Sequence, residues 1–249
     1  MIGHYQLILR DVTMTSFNLR RTSSKVDSLR MLRRLGLSFG CIFDVGVQGQ
    51  TQELIDVFPD LKHYLFEPVP QYLPVIRENY AALDHEILNV AVSDRDGLGQ
   101  IKLIRLVANE VTHSCVVEEL TQLNDATLDI IDVQLVRLST ILAERTFPQP
   151  IMLKIDVDGH EPAILEGLVG GEELIGAVII ESGLQDFAPR ISRLQQMGFL
   201  LWDVVDPCYY KGCLAQMDLI FVSSLIAGMA NLQPLSRPDP FDMSAWQAF

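Results

Sequence analysis

The chain has 249 residues, 49% of them hydrophobic and 20% charged, with a formal net charge of −13. That composition belongs to a globular protein, and one α/β domain fills the length. So acidic a balance argues against general nucleic-acid binding, which needs a basic surface to neutralise phosphates.

The acid is unevenly placed. Residues 1–40 hold seven Lys/Arg against two acids, and they read as a helical lead-in whose basic residues form a solvated face. A homodimer through this segment is a further expectation. The first residues, MIGHYQLILRDVTM, place Arg and Asp where a signal peptide would be apolar. The most apolar later stretch, 219–232, falls short of a membrane span. Cys41, Cys115, Cys208 and Cys213 show no C-x-x-C spacing. A soluble, cytoplasmic protein is therefore expected, without a disulfide framework.

From Cys41 onward, short apolar runs alternate with helix-period segments, the pattern of a mostly parallel sheet with helices on both faces. Strands are expected at 41–45, 63–67, 86–92, 151–157, 177–181, 199–205 and 217–222. Helices fit 50–58, 71–83, 161–168 and 185–197, the last stopped by Gly198. Residues 93–149 interrupt the alternation. They carry a strand-like pair, 100–106 and 132–138, around a polar segment with a short helical pattern. An insertion of that length is expected to wall or cover a site. The domain proper spans 41–224, and 225–249 read as an irregular tail.

The first expected strand runs into Asp44-Val45-Gly46-Val47-Gln48-Gly49. Gly46 and Gly49 allow a tight turn and close approach of a ligand. Glu67 ends the second strand, placed to hydrogen-bond both hydroxyls of a ribose. Together they point to a nucleoside-containing cofactor in a Rossmann-like crevice. An NAD-linked oxidoreductase is one reading, but the first glycine of G-x-G-x-x-G is missing. Asp44 beside the turn would repel a pyrophosphate and suits a cationic amino-acid moiety, as in S-adenosylmethionine. A non-catalytic Rossmann-like module binding a partner through its basic N-terminal helix is the remaining alternative.

The fourth strand leads to Asp156-Val157-Asp158-Gly159-His160-Glu161, and alternation puts Asp156 and Asp158 on one side of it. His160 is the candidate base, because its ordinary pKa lies near neutrality. Asp156 and Glu181 are expected to face the acceptor. Asp156, Asp158 and Glu161 are also candidate ligands for a hard ion such as Mg²⁺, although Asp158-x-x-Glu161 has the shape of a capping box and that reading is preferred. Lys154 is expected to balance one of these acids. His113 and Ser114 form a polar tip in the insertion, and Trp202, Tyr209 and Tyr210 are candidate pocket walls or packing residues.

In order, DVGVQGQT (44–51), FEP (66–68), NVAVSDRDG (89–97), LKIDVDGHEPAILEG (153–167) and IIES (179–182) resemble the FkbM-type methyltransferases, over roughly residues 40–222. The resemblance implies a class I methyltransferase fold, S-adenosylmethionine as donor, and O-methylation of a hydroxyl on a sugar or related small molecule. It implies that Asp44, Gly46 and Gly49 form the cofactor loop, that Glu67 is the ribose acid, and that Ala91 and Val92 lie near the adenine. Val47-Gln48 departs from the family's small residue followed by Asn or His, with Gln48 able to replace the polar contact.

Overall fold

The computed structural model describes residues 22–104, 113–116, 127–230 and 232. The strand β1 (Cys41–Val45) and the strand β8 (Ile151–Ile155) are buried at every position, as expected of parallel strands covered on both faces. Between and around them run β2 (Lys62–Phe66), β3 (His85–Leu88), β9 (Ile175–Gly183), β10 (Phe199–Tyr210) and β11 (Cys213–Ser223). They form one seven-stranded sheet in the order β10-β11-β9-β8-β1-β2-β3. β1, β2, β3, β8 and β9 are parallel, and β11 runs antiparallel between β9 and β10. The fold is therefore α/β, Rossmann-like, with the strand order of a class I methyltransferase. Chain order reverses between β1 and β8, the switch point beyond whose carboxyl ends such sheets bind ligands.

Alternation along the strands builds two cores. Phe43, Val45, Leu153 and Ile155 face α4 (Leu138–Glu144), α5 (Glu161–Leu168) and α6 (Phe187–Gln196) on one side. Ile42, Met152, Ala177 and Ile179 face α1 (Lys25–Arg34), α2 (Gln52–Val57) and α7 (Ser224–Met229) on the other; α3 (Leu73–Asn79) follows β2. In α1, Ser24 accepts a hydrogen bond from the Asp27 amide (3.3 Å). Leu29 and Leu32 are buried while Arg30, Arg33 and Arg34 are exposed. α1 is thus an amphipathic helix with a cationic outer face, residues 1–21 of the expected lead-in lying outside the described residues, and Gly198 ends α6 with φ +88°.

The segment expected as one strand over 86–92 is divided. β3 ends at Leu88, and Ala91–Val92 form β4 in a second sheet of four strands, ordered β4-β7-β5-β6 with β5 (Gly97–Ile104), β6 (His113–Val116) and β7 (Thr127–Val136). Both halves carry apolar residues, so the pattern could not show that the chain changes sheet. Asn89 holds the step by donating to the carbonyls of Glu67 and Pro68 at 2.8 and 3.0 Å. The second sheet has its own small core of Val69, Ala91, Ile101, Leu103, Val133 and Leu135.

Three further expectations change. Leu138 begins α4 instead of ending a strand, His113 and Ser114 lie in β6 instead of a loop tip, and α7 replaces the start of an irregular tail. The short helical pattern expected within the insertion falls largely outside the described residues, as does nearly all of the tail beyond 230.

Candidate functional site

The turn after β1 is held open by backbone geometry at two residues. Gly46 has φ +84°, and a Cβ there would lie 1.9 Å from the Asp156 carbonyl oxygen, so no side chain fits. The second left-handed residue is Gln48, with φ +52°. Gly49 is different: the nearest atoms to an added Cβ stand 3.9 and 4.0 Å away. The turn therefore requires Gly46 and tolerates a side chain at 49. Gln48, which departs from the family's usual residue, contributes its backbone: its amide donates to Glu67 Oε2 at 2.8 Å, and the Val69 amide donates to Glu67 Oε1 at 2.9 Å. Burial raises the Glu67 pKa against these two amides and Lys154. Each carboxylate oxygen keeps a second acceptor site, so hydroxyls can still bind there.

Asp44 does not reach the ligand space. It is fully buried and stands opposite Lys154 in the β1–β8 register. Lys154 Nζ lies 3.3 Å from Asp44 and 3.4 Å from Asp156, and donates to the Gly46 carbonyl at 2.9 Å. Burial works to lower the lysine's pKa, but the two carboxylates prevail and raise it. On the other side the Tyr80 hydroxyl donates to Asp44 (3.3 Å) and accepts from the Thr51 amide (3.0 Å). Burial and Asp44 push this phenol's pKa up. Asp44 is thus a buried anchor from which Lys154 and Tyr80 grip both ends of the turn.

Two hollows open on that turn. One is lined by Glu67, Pro68, Val90, Ala91, Val92 and Ile101, together with His160 and residues 156–158. Ala91 and Val92 reach it because they have left the main sheet, and from the expected insertion Ile101 of β5 lines it beside them. The other hollow, about 300 Å³, is lined almost wholly by polar groups: Lys25, Gln50, Thr51, Glu53 and Lys154. Gly46, Gln48 and Asp156 border both.

The acids that follow β8 separate. Strand geometry ends at Ile155, and Asp158 sits in the turn beyond with φ +54°, so alternation does not pair it with Asp156. The N-cap of α5 is His160, without a side-chain bond, so Asp158 is not the cap of a capping box. Glu161 is 1% exposed. Its Oε1 accepts from the Val157 and Gly159 amides (3.3 and 3.1 Å), and its Oε2 from Arg190 (2.8 Å). These bonds make Glu161 structural. Among the described residues no group of three His, Cys, Asp or Glu side chains could hold a metal ion.

His160 is buried, with Nε2 3.0 Å from Ser93 Oγ, which ties the start of α5 to the loop that follows β4. Glu181, near the end of β9, is half-buried and accepts from Gln216 Nε2 (2.5 Å). Burial, followed by the nearby charges of Asp156, Asp218, Glu161 and Asp158, raises its pKa to about 7. Its cross-strand neighbour Asp218 pairs with Lys25 at 3.0 Å. Trp202 packs beside α1 and donates to Ser28 (3.0 Å), so it belongs to the core and not to a pocket wall. Tyr209 and Tyr210 are exposed in the β10–β11 hairpin.

Sequence reading did not single out Lys25, Glu53, Tyr80, Arg190 or Asp218. Tyr80, Arg190 and Lys25 belong to no phosphate, metal or nucleophile motif, and only tertiary packing brings them to the edge.

Fold and crevice together define an open α/β protein with two adjoining hollows at its switch point. The model of the FkbM methyltransferase domain matches residues 45–201, and the chain belongs to this family of methyltransferases. Solved structures of similar fold include precorrin-6y C5,15-methyltransferase from Geobacter metallireducens, 13% identical over 84% of this chain and 93% of that one (TM-score 0.42). Another is fibrillarin from Aeropyrum pernix with natively bound S-adenosyl-L-methionine, 12% identical over 79% of this chain and 74% of that one (TM-score 0.44). No curated protein matches the sequence. Among the described residues no helix is long and apolar enough to cross a membrane.

Proposed function

We propose that the protein transfers a methyl group from S-adenosylmethionine to a hydroxyl of a sugar or related small molecule. The observation that carries this reading is the pair of hollows meeting at Gly46, Gln48 and Asp156. Beside one lies a buried carboxylate among apolar walls, suited to a ribose and a flat base. The other balances Lys25 and Lys154 against Glu53 and Asp156, which suits a zwitterionic amino-acid moiety. A pyrophosphate would add negative charge that this balanced set does not offset.

When bound, the donor supplies a methyl group on a sulfonium sulfur, which leaves as a neutral thioether as the oxygen–carbon bond forms. The chain's task is then to orient the acceptor and take its proton. Of the two candidate bases, His160 is engaged with Ser93, whereas Glu181 lies on the edge with a pKa near neutrality. In this reading Glu181 accepts the hydroxyl proton, Asp156 orients the acceptor, and His160 fixes the wall formed by β4. The acids Asp156 and Glu181 on this edge favour a small neutral acceptor over a phosphate backbone.

Calorimetric titration with S-adenosylhomocysteine and, in parallel, NAD tests the reading. Micromolar binding of the first alone, weakened in Glu67→Ala, is the expected result. Failure of well-folded protein to bind S-adenosylhomocysteine would overturn it.

A further inference from the structure

The lead-in helix reaches the site. Ser23 donates its hydroxyl to the Val204 carbonyl (2.9 Å), the Asp206 amide donates to the Ser23 carbonyl (3.1 Å), and the Lys25 amide meets both Asp206 carboxylate oxygens at 3.3 and 3.4 Å. These bonds clasp the start of α1 onto β10, so the next side chain is held in place. Lys25 Nζ then stands 2.9 Å from Glu53 and 3.0 Å from Asp218, with Asp206 at 3.9 Å, and borders the polar hollow.

The two lysines of that hollow are differently employed. Lys154 is 6% exposed at its side chain, and its three donors face Gly46, Asp44 and Asp156. It is spent on the fold. Lys25 has two partners at hydrogen-bond distance among the described residues, and an ammonium carries three donors. Burial lowers its pKa, but Asp218 and Glu53 outweigh that and raise it, so it stays charged at any working pH.

We infer that Lys25 binds the carboxylate of the donor's amino-acid moiety, so that α1, which lies outside the matched region 45–201, is part of the active site. The inference rests on the proposed methyltransferase reading. Glu53 and Asp156, on the same hollow, are the acids available to the adjacent ammonium, which makes the compartment complementary to a zwitterion and not to a simple anion.

The test is calorimetric titration of the full chain and Lys25→Met with two probes. One is S-adenosylhomocysteine. The other is its decarboxylated analogue, which keeps the nucleoside, thioether and ammonium. Removing one charge-assisted hydrogen bond is expected to weaken S-adenosylhomocysteine about tenfold to a hundredfold in the variant and leave the analogue within about twofold. Lys25→Arg is expected to restore most of the loss. The double variant Lys25→Met/Asp218→Asn, which removes a carboxylate left unpaired, should show the same selectivity if the single variant folds poorly. An unchanged S-adenosylhomocysteine affinity, or an equal loss for both probes, would overturn the assignment and leave Lys25 a staple of α1. If neither probe binds the unaltered chain, the methyltransferase reading falls with it.

Discussion

The two hollows on the turn after β1 share three residues and differ in nearly everything else. Toward Glu67 the walls come from inside the family match and mix apolar Val90, Ala91, Val92 and Ile101, two of them from β4 of the second sheet, with Asp156, Asp158 and His160. Toward α1 the walls are charged, and Lys25 comes from outside that match. On the proposed reading recognition is divided: the Glu67 hollow takes the nucleoside half, and the opposed charges of the other take the amino-acid half. Variants that strike the shared turn should damage both compartments, and variants in one wall should damage only its own ligand half.

The largest effect is expected at the shared turn. Gly46→Ala puts a methyl 1.9 Å from a backbone oxygen at a residue with φ +84°, so the turn must move. S-adenosylhomocysteine and its decarboxylated analogue should both lose more than about a hundredfold in affinity, because each good contact made by the turn is worth about tenfold or more. Gly49→Ala, with 3.9 Å of clearance, should bind both within about threefold, the allowance for an ordinary surface change of about 0.5 kcal/mol. Equal loss in the two variants would mean that the turn is not governed by Gly46.

Next comes the buried charge beneath the turn. Lys154→Met leaves the fully buried Asp44 without its cation, and removing one partner of a buried pair costs about 3–5 kcal/mol. Thermal unfolding should show a large fall in Tm, and Lys154→Met/Asp44→Asn should recover much of it. Failure of the second substitution to recover stability would show that Lys154 acts through the Gly46 carbonyl and not through Asp44.

These two positions also show what could be read from the chain alone. The β1 and β8 strands, the tight turn at Gly46 and the place of Glu67 just beyond β2 were legible because burial on both faces and a tight turn leave direct marks on residue type. The pairing of Lys154 with an acid was legible too, though its partners proved to be two, one of them Asp44, read in the sequence as lining the cofactor. A sequence shows that an acid stands beside a turn; it does not show whether a tyrosine thirty-six residues on and a lysine on the next strand enclose it. The passage of 89–92 between sheets was hidden because both halves are equally apolar. Lys25 was hidden because its role depends on where α1 docks, and the bonds that dock it join residues 181 apart in the chain.

Within one wall, Glu67→Ala should weaken S-adenosylhomocysteine and the decarboxylated analogue alike, by about tenfold to a hundredfold, since both carry the ribose. This is the counterpart of Lys25→Met, which spares the analogue. The substitution also frees the Gln48 and Val69 amides, so the Tm of the variant should be compared with that of Glu67→Gln. If Glu67→Ala discriminated between the two probes, the division into nucleoside and amino-acid compartments would be wrong.

The smallest effect on binding, and the one that separates chemistry from binding, belongs to Glu181. Its folded-state pKa of about 7 lies above the ordinary carboxylate value. A raised acid contributes stability that is fully present below the unfolded pKa and is lost as pH rises through the folded one. Over the interval from about 4.5 to about 7 the protein should therefore lose stability on this account. Glu181→Gln removes the ionisation, so its Tm relative to the parent should improve more at pH 8 than at pH 5. Methyl transfer should move the opposite way. In the parent, kcat/KM should climb with pH through about 7 as the carboxylate forms, and in Glu181→Gln it should drop by about a hundredfold or more with that limb gone, the usual range for a lost general base. Donor affinity should stay within about threefold, because Glu181 borders neither hollow. A variant that gained stability at high pH but kept the parent's pH–rate profile would confirm the buried charge and remove Glu181 from the proton's path, returning the role of base to His160.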